Sequence, residues 1–302
     1  MIKFMQMSQH IKKKLGRAVL TVMLFAMAGI FLFPLIFTIA NSFMSEQEIE
    51  NSYSMVTSDN SEQQNNAFYG KYAGIKLIPD RVTIKQYYTA LIKRTQFLVK
   101  FWNSAIIVIP IIFGQIIVSS MAAYAFAKIN FIFRDKLFFA YIIIMMMPFQ
   151  VTLVPNYIMA SRLGLVGSYS SIILPGIFGT FGVFLMRQFM IYIPDAYVES
   201  AKVDGAGQLR IFFGIILPMA KTALAALSIL VFIDNWNMVE QPLIFLQDVN
   251  MHPLSIYLSS INKGEMGIAF AASTIYMLPM LLVFLYGENY LVQGIQLSGL
   301  KG

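Results

Sequence analysis

The sequence predicts an all-α polytopic membrane protein with six transmembrane helices, and three observations carry that prediction. Of 302 residues, 58% are hydrophobic and only 12% charged, against roughly 45–50% and about 25% for a soluble domain. The apolar residues fall into six nearly charge-free windows, each close to the ~20 residues a helix needs to cross a bilayer core. Lys and Arg gather in alternate short loops, the pattern of an inserted chain with a fixed orientation. The same composition excludes a soluble globular domain and a disordered chain, and a net charge of +7 spread over this background does not mark a nucleic-acid binder. With no Cys and only two distant histidines, His10 and His252, disulfides and thiolate metal sites are excluded and a histidine metal cluster or catalytic triad has no material. The expectation is therefore no metal site and no enzyme.

Residues 1–17 form a basic cytoplasmic segment containing Lys3, Lys12, Lys13, Lys14 and Arg17. The first span, 18–40, exceeds a secretory h-region of about 7–15 residues and lacks an A-x-A site, so it reads as a retained anchor. The external loop 41–100 is polar from Ser52 to Asn66. From Ile78 onward, Thr83 caps a short surface helix with Tyr87, Leu91 and Ile92 on one face and Lys85, Lys93 and Arg94 on the other. The loop's basic residues do not count against the orientation, because the rule weakens over about 60 residues.

Residues 101–292 make a five-helix core from the windows Phe101–Ala127, Leu137–Ser161, Leu163–Met186, Ile211–Ile233 and Met266–Gly287. Arg162 and a glycine step at Gly164 and Gly167 separate the third from the fourth. Every span contains a proline (Pro34, Pro110, Pro148 with Pro155, Pro175, Pro218, Pro279), tolerated where neighbours satisfy the freed backbone groups. Lys128, Arg134 and Lys136 in one short loop, and Arg187, Lys202 and Arg210 in another, put both termini and the tail 293–302 on the cytoplasmic side.

The cytoplasmic loop 187–210 stands apart. Pro194 stops the preceding helix, Asp195 is placed to N-cap a new short one, and Gly205 supplies the C′ backbone that ends it. Small Ser200 and Ala201 between Glu199, Lys202 and Asp204 allow a partner's close approach while the charges set register. Intramembrane polar residues form a second group of candidates: Gln115 and Ser119 one turn apart, Gln150 and Asn156, and Asn237 beside Asp234 and Asn235. Such amides suit sugar hydroxyls, and equally suit hydrogen bonds between helices. No chain of ionisable groups crosses the midplane, which argues against a proton-coupled carrier.

The spacing Glu199-Ser200-Ala201, three residues, Gly205, nine residues, Ile215, one residue, Leu217-Pro218 resembles the EAA signature of binding-protein-dependent ABC importer permeases, with Ser200 in place of the second alanine. Asn103-Ser104-Ala105, the Ala122 to Ala127 run, Pro155-Asn156-Tyr157, Trp236-Asn237, Pro242 to Leu246 and the Gly294 to Gly302 tail are similar to the carbohydrate-uptake branch, in particular the smaller permease of maltose-type importers. The resemblance implies a type I importer permease fold. It also implies that Glu199, Ser200, Ala201, Asp204, Gly205, Leu217 and Pro218 couple to an ATPase; for the substrate path the candidates are the polar residues Gln115, Ser119, Gln150, Asn156 and Asn237, with hydrogen bonding between helices as their alternative role. Implied partners are a second permease subunit, two ATP-binding subunits carrying ATP and Mg, an extracytoplasmic sugar-binding protein and the lipid bilayer. This chain has no G-x4-G-K-[ST] loop of its own, since Gly299 is followed by Leu300. The expected cargo is a neutral oligosaccharide, with uronate-containing disaccharides or a self-contained secondary carrier as alternatives.

Overall fold

A computed structural model describes residues 2–57, 76–261 and 265–299, and among them every regular element is helical. The helices are α1 (Ile2–Ser42), α2 (Glu46–Thr57), α3 (Lys85–Tyr88), α4 (Thr95–Lys128), α5 (Arg134–Met145), α6 (Phe149–Arg162), α7 (Ser170–Ile177), α8 (Thr180–Ile191), α9 (Ala196–Val203), α10 (Gln208–Ile211), α11 (Leu217–Met219), α12 (Lys221–Trp236), α13 (Glu240–Phe245), α14 (Leu254–Ser259) and α15 (Met266–Gly299). Four stretches are long and apolar enough to cross a membrane, Lys14–Ser42, Thr95–Lys128, Ser170–Ile191 and Met266–Leu291, and the count reaches six if two bent pairs each make one span. Residues 58–66 of the polar Ser52 to Asn66 stretch and residues 300–302 of the tail lie outside the described residues.

The chain forms two compact units, Met1–Lys93 with Ile261–Ile275, and Arg94–Ser260 with Tyr276–Gly302. In the first unit, α1 leaves Phe25, Ile30 and Phe31 exposed, a surface suited to lipid. Its far end is fixed by packing: Met44 and Ile49 are buried with Phe37, Met266 and Phe270 against them. Ser42 Oγ and Tyr87 Oη share a 2.6 Å hydrogen bond, and the Thr83 amide donates to the Phe43 carbonyl at 2.9 Å. Glu48 closes this end, accepting the Asp80 amide at 2.8 Å and the Lys76 ammonium at 2.9 Å. The Asp80 amide first, and then Lys76, hold the Glu48 carboxyl below its ordinary pKa. Thr83 accepts the Lys85 amide at 3.2 Å, but the helix it opens widens into a π-turn at Thr89–Lys93. The buried residues are Gln86 in α3 and Ala90 in the π-turn, while Ile92 is exposed. The expected Tyr87, Leu91, Ile92 face is thus displaced by about one position.

In the second unit α4 is the central shaft, in contact with α5, α7, α8, α12 and α14. Its 34 residues make a rod of about 51 Å. Ile107, Ile111, Met186, Leu227 and Phe245, each buried, anchor its core. The α4 contact with α7 and α8 is built on small residues. A Cβ on Gly176 would lie 2.9 Å from Ile111, and one on Gly179 or Gly182 would run into Gln115 and Ser119. Glycine at these positions lets the α4 side chains sit directly on the α7–α8 backbone, where a Cβ would have to displace them. At one end of α4 the Asn103 amide donates to the carbonyls of Asn250 (2.6 Å) and His252 (3.0 Å), and Ser104 Oγ accepts the Leu254 amide at 2.9 Å. Those bonds pin the connection between α13 and α14.

Three expected spans differ from a straight crossing. The third is bent by 102° between α5 and α6; Pro148 sits extended at ψ 140° as the N-cap of α6. At 12 and 14 residues the halves are about 18 and 21 Å long, each short of a ~30 Å core. The fourth begins at Ser170 rather than Leu163, because Gly164 and Gly167, at φ +67° and +83°, turn the chain between them. The fifth is bent by 76° at Ala220, next to Pro218 and a π-turn over Phe212–Ile216. Pro218 lacks the N–H that would bond the residue 214 carbonyl, which disturbs this ladder. By contrast α1, α4 and α15 run through Pro34, Pro110 and Pro279 unbroken, and the sixth continues to Gly299, beyond its expected end.

Candidate coupling loop and polar path

α8 ends at Ile191, and α9 follows as a separate eight-residue helix. Its C-terminus is a Schellman motif. Gly205 at φ +78° lets its amide donate to the Lys202 carbonyl (3.0 Å) and the Ala206 amide donate to the Ala201 carbonyl (2.9 Å). The N-terminus differs from expectation, since the Asp195 side chain makes no capping bond. Its carboxylate instead accepts the Lys128 ammonium at 2.6 Å, and Lys128 also donates to the Ile193 carbonyl. A buried ammonium at the end of α4 outcompetes the helix amides for that carboxylate because the pairing is charge-assisted.

The loop has two faces. Val198 and Ala201 are buried against the core, while Glu199, Ser200, Asp204 and Gly205 are exposed, as are Tyr197 and Val203. Ala201, expected beside Glu199 and Ser200 at a partner surface, therefore faces inward, where its small side chain sets how closely α9 approaches the bundle. Ser200 Oγ donates to the Ala196 carbonyl at 2.7 Å, which keeps the hydroxyl close to the helix and the surface low. Leu217 is half-buried against the core and Pro218 exposed, so both belong to the bend after the loop. On the far side of α9, Tyr124 Oη donates to Gln208 Oε1 at 2.7 Å, and the Tyr124 ring packs on Phe212.

The polar-path candidates divide into separate places. Gln115 is 5% exposed and Ser119 fully buried, both against the glycines of α7 and α8, and Ser119 Oγ has no hydrogen-bond partner among the described residues. Gln150, exposed in the first turn of α6, lies 3.3 and 3.4 Å from the carboxylate oxygens of Glu240 at the start of α13. Further along, Tyr157 packs edge-on to Phe245 at 5.5 Å, with Asn156 half-buried beside it. Asn237 is exposed at the end of α12 and accepts the Tyr276 hydroxyl at 2.8 Å. Trp236 next to it is buried between Phe232, Tyr276 and Phe101. Sequence reasoning did not single out Glu240, Gln208 or Tyr276. In the sequence Lys128 reads as a topology charge, although its place one helical turn after Tyr124 is visible.

The inner membrane component family of binding-protein-dependent transport systems matches residues 115–296. The arabinooligosaccharides transport system permease protein AraQ of Halalkalibacterium halodurans is 31% identical over 234 residues, covering 76% of this chain and 84% of that protein. The sn-glycerol-3-phosphate transport system permease protein UgpE of Pectobacterium atrosepticum is 34% identical over 206 residues, covering 67% and 73%. A chain from the crystal structure of a bacterial ABC transporter that imports the acidic polysaccharide alginate shares the fold, with a TM-score of 0.75 at 22% identity over 92% of this chain and 96% of that one. The glycine-packed shaft, the bent spans and the short loop helix between them are thus those of a membrane-embedded permease, and the chain belongs to the binding-protein-dependent transport system inner membrane component family.

Proposed function

We propose that this chain is a transmembrane subunit of an ATP-driven importer of neutral oligosaccharides. In this reading it pairs with a second permease subunit, receives sugar from an extracytoplasmic binding protein, and couples through α9 to two ATPase subunits that hold ATP and Mg. The observation that carries the reading is the exposed face of α9. Glu199, Ser200, Asp204 and Gly205 stand outward on a helix whose inner face, Val198 and Ala201, is fixed to the bundle. A helix built this way presents a low, charged surface for docking. With α9 on the cytoplasmic side, the basic N-terminal segment and the Lys128 to Lys136 loop take the same side, and both termini are cytoplasmic.

Side-chain chemistry and one relative support the neutral cargo. Gln150, Asn156 and Asn237 offer amides for hydroxyl groups, and the charge nearest to Gln150 is the Glu240 carboxylate, which repels uronates and phosphates. AraQ is named for arabinooligosaccharides. The test is uptake by proteoliposomes holding the complete importer. ATP-dependent accumulation of a neutral arabinotriose, and none of a diuronate, is expected. Uptake without ATP by this chain alone would favour the secondary carrier instead.

A further inference from the structure

We propose that the last turn of α4 is a two-point clamp on the coupling loop, with Lys128 and Tyr124 as positioning residues that make α9, α4 and α8 one lever. The proposal rests on reading α9 as the ATPase contact. Lys128 holds the chain before α9, through the Ile193 carbonyl and the Asp195 carboxylate. Tyr124 holds the chain after it, through Gln208 Oε1 at 2.7 Å. The two are four residues apart, so one face of one helical turn reaches both flanks of the loop. Eight residues of helix are too few to be stable alone, and two small apolar anchors, Val198 and Ala201, would let α9 pivot when pushed.

The clamp removes that freedom. The Lys128 side chain is 3% exposed while Asp195 is 73% exposed, so lifting the loop strands a buried cation, whereas the carboxylate is easily hydrated. The rest of the lever is rigid for independent reasons. Gly176, Gly179 and Gly182 bring the α7–α8 backbone against Ile111, Gln115 and Ser119 of α4. Arg187 of α8 lies 3.8 Å over the Phe138 ring and donates to the Phe126 carbonyl of α4 at 3.4 Å. The sharp bends lie elsewhere, 102° between α5 and α6 and 76° at Ala220. A push on α9 therefore swings α4 and α8 together, and these two bends absorb the difference.

Because the chain has no Cys, two spin labels can be placed cleanly, at Val203→Cys on α9 and Ile106→Cys on α4, both exposed in this chain. Pulsed-resonance distances are measured in the complex with its ATPase subunits, nucleotide-free and ATP-bound. The clamp predicts a distance constant to within about 2 Å. It also predicts that Tyr124→Phe with Lys128→Met, which removes the bonds to Gln208, Ile193 and Asp195 together, lets the distance shift by a helical turn, about 5 Å, and that Lys128→Arg, whose guanidinium reaches both acceptors, keeps it constant. The double variant removes one hydroxyl and one buried ammonium at nearly unchanged side-chain volume and leaves only the exposed, hydrated Asp195 carboxylate unpaired, so the fold is retained. A distance that moves by a turn in the unmodified chain, or that stays constant in the double variant, overturns the clamp. Gly205→Asp is the separate control: if it leaves ATPase subunits co-purifying at the unmodified level, the reading of α9 itself fails, whatever the distances show.

Discussion

Gly205 sits at φ +78° with nothing within 4 Å of where a Cβ would stand, so any substitution there acts through backbone strain and not through a clash. Gly205→Ala is expected to cost about 1 kcal/mol, confined to the loop. Hydrogen exchange should quicken at the Gly205 and Ala206 amides while the global melting temperature hardly moves. Ser119 is the opposite case, a hydroxyl fully buried against Gly182 with no partner among the described residues. Removing an unsatisfied buried hydroxyl relieves a penalty, so Ser119→Ala is expected to stabilise the detergent-solubilised chain by about 1 kcal/mol. Thermal unfolding checks this; lower uptake without a gain in stability would instead mark Ser119 as a substrate contact. Gly205 was legible in the sequence, because a glycine ending a short helix has one common geometry. The inward turn of Ala201 was not: an eight-residue helix carries too little periodicity to show which side meets the core.

Among the elements, prolines separate what composition reveals from what it hides. Six apolar windows were readable because burying charge in lipid is costly, and continuous helix through Pro34, Pro110 and Pro279 agrees with them. The bends near Pro148 and Pro218 were not readable, since nothing local distinguishes these prolines from Pro110. The difference is tertiary. α4 is held in line on both sides of Pro110 by α7, α8 and α12, whereas α5 packs on α8 and α6 on α7, so the two halves follow different neighbours. At the α2 end of the first unit, the charged Glu48 is favoured by the Asp80 amide and Lys76. Its stabilisation is full above the unperturbed value of 4.5 and is lost as pH falls through the lowered folded value. Exchange at the Asp80 amide should therefore accelerate on acidification below that range, and Glu48→Gln should remove most of this pH dependence.

At the scale of the whole molecule the two ends of α4 have different tasks. One end is tied through Asn103 and Ser104 to the segment joining α13 and α14, and the other through Tyr124 and Lys128 to the loop that carries α9. The family, the helical class and the short helix between Pro194 and Gly205 were all legible in the sequence. The hydrogen bonds that join α4 to that loop were not, because Lys128 and Asp195 lie 67 residues apart and each has an ordinary local explanation. If the loop is where the chain receives the work of ATP hydrolysis, its outward face touches an ATPase subunit. The most direct measurement is site-directed cross-linking in the Cys-free chain, with Glu199→Cys as the probe and Asn237→Cys, at the end of α12, as the reference. The account predicts an adduct with the ATPase subunit from position 199 and none from position 237. No adduct from 199, or equal adducts from both, would contradict it.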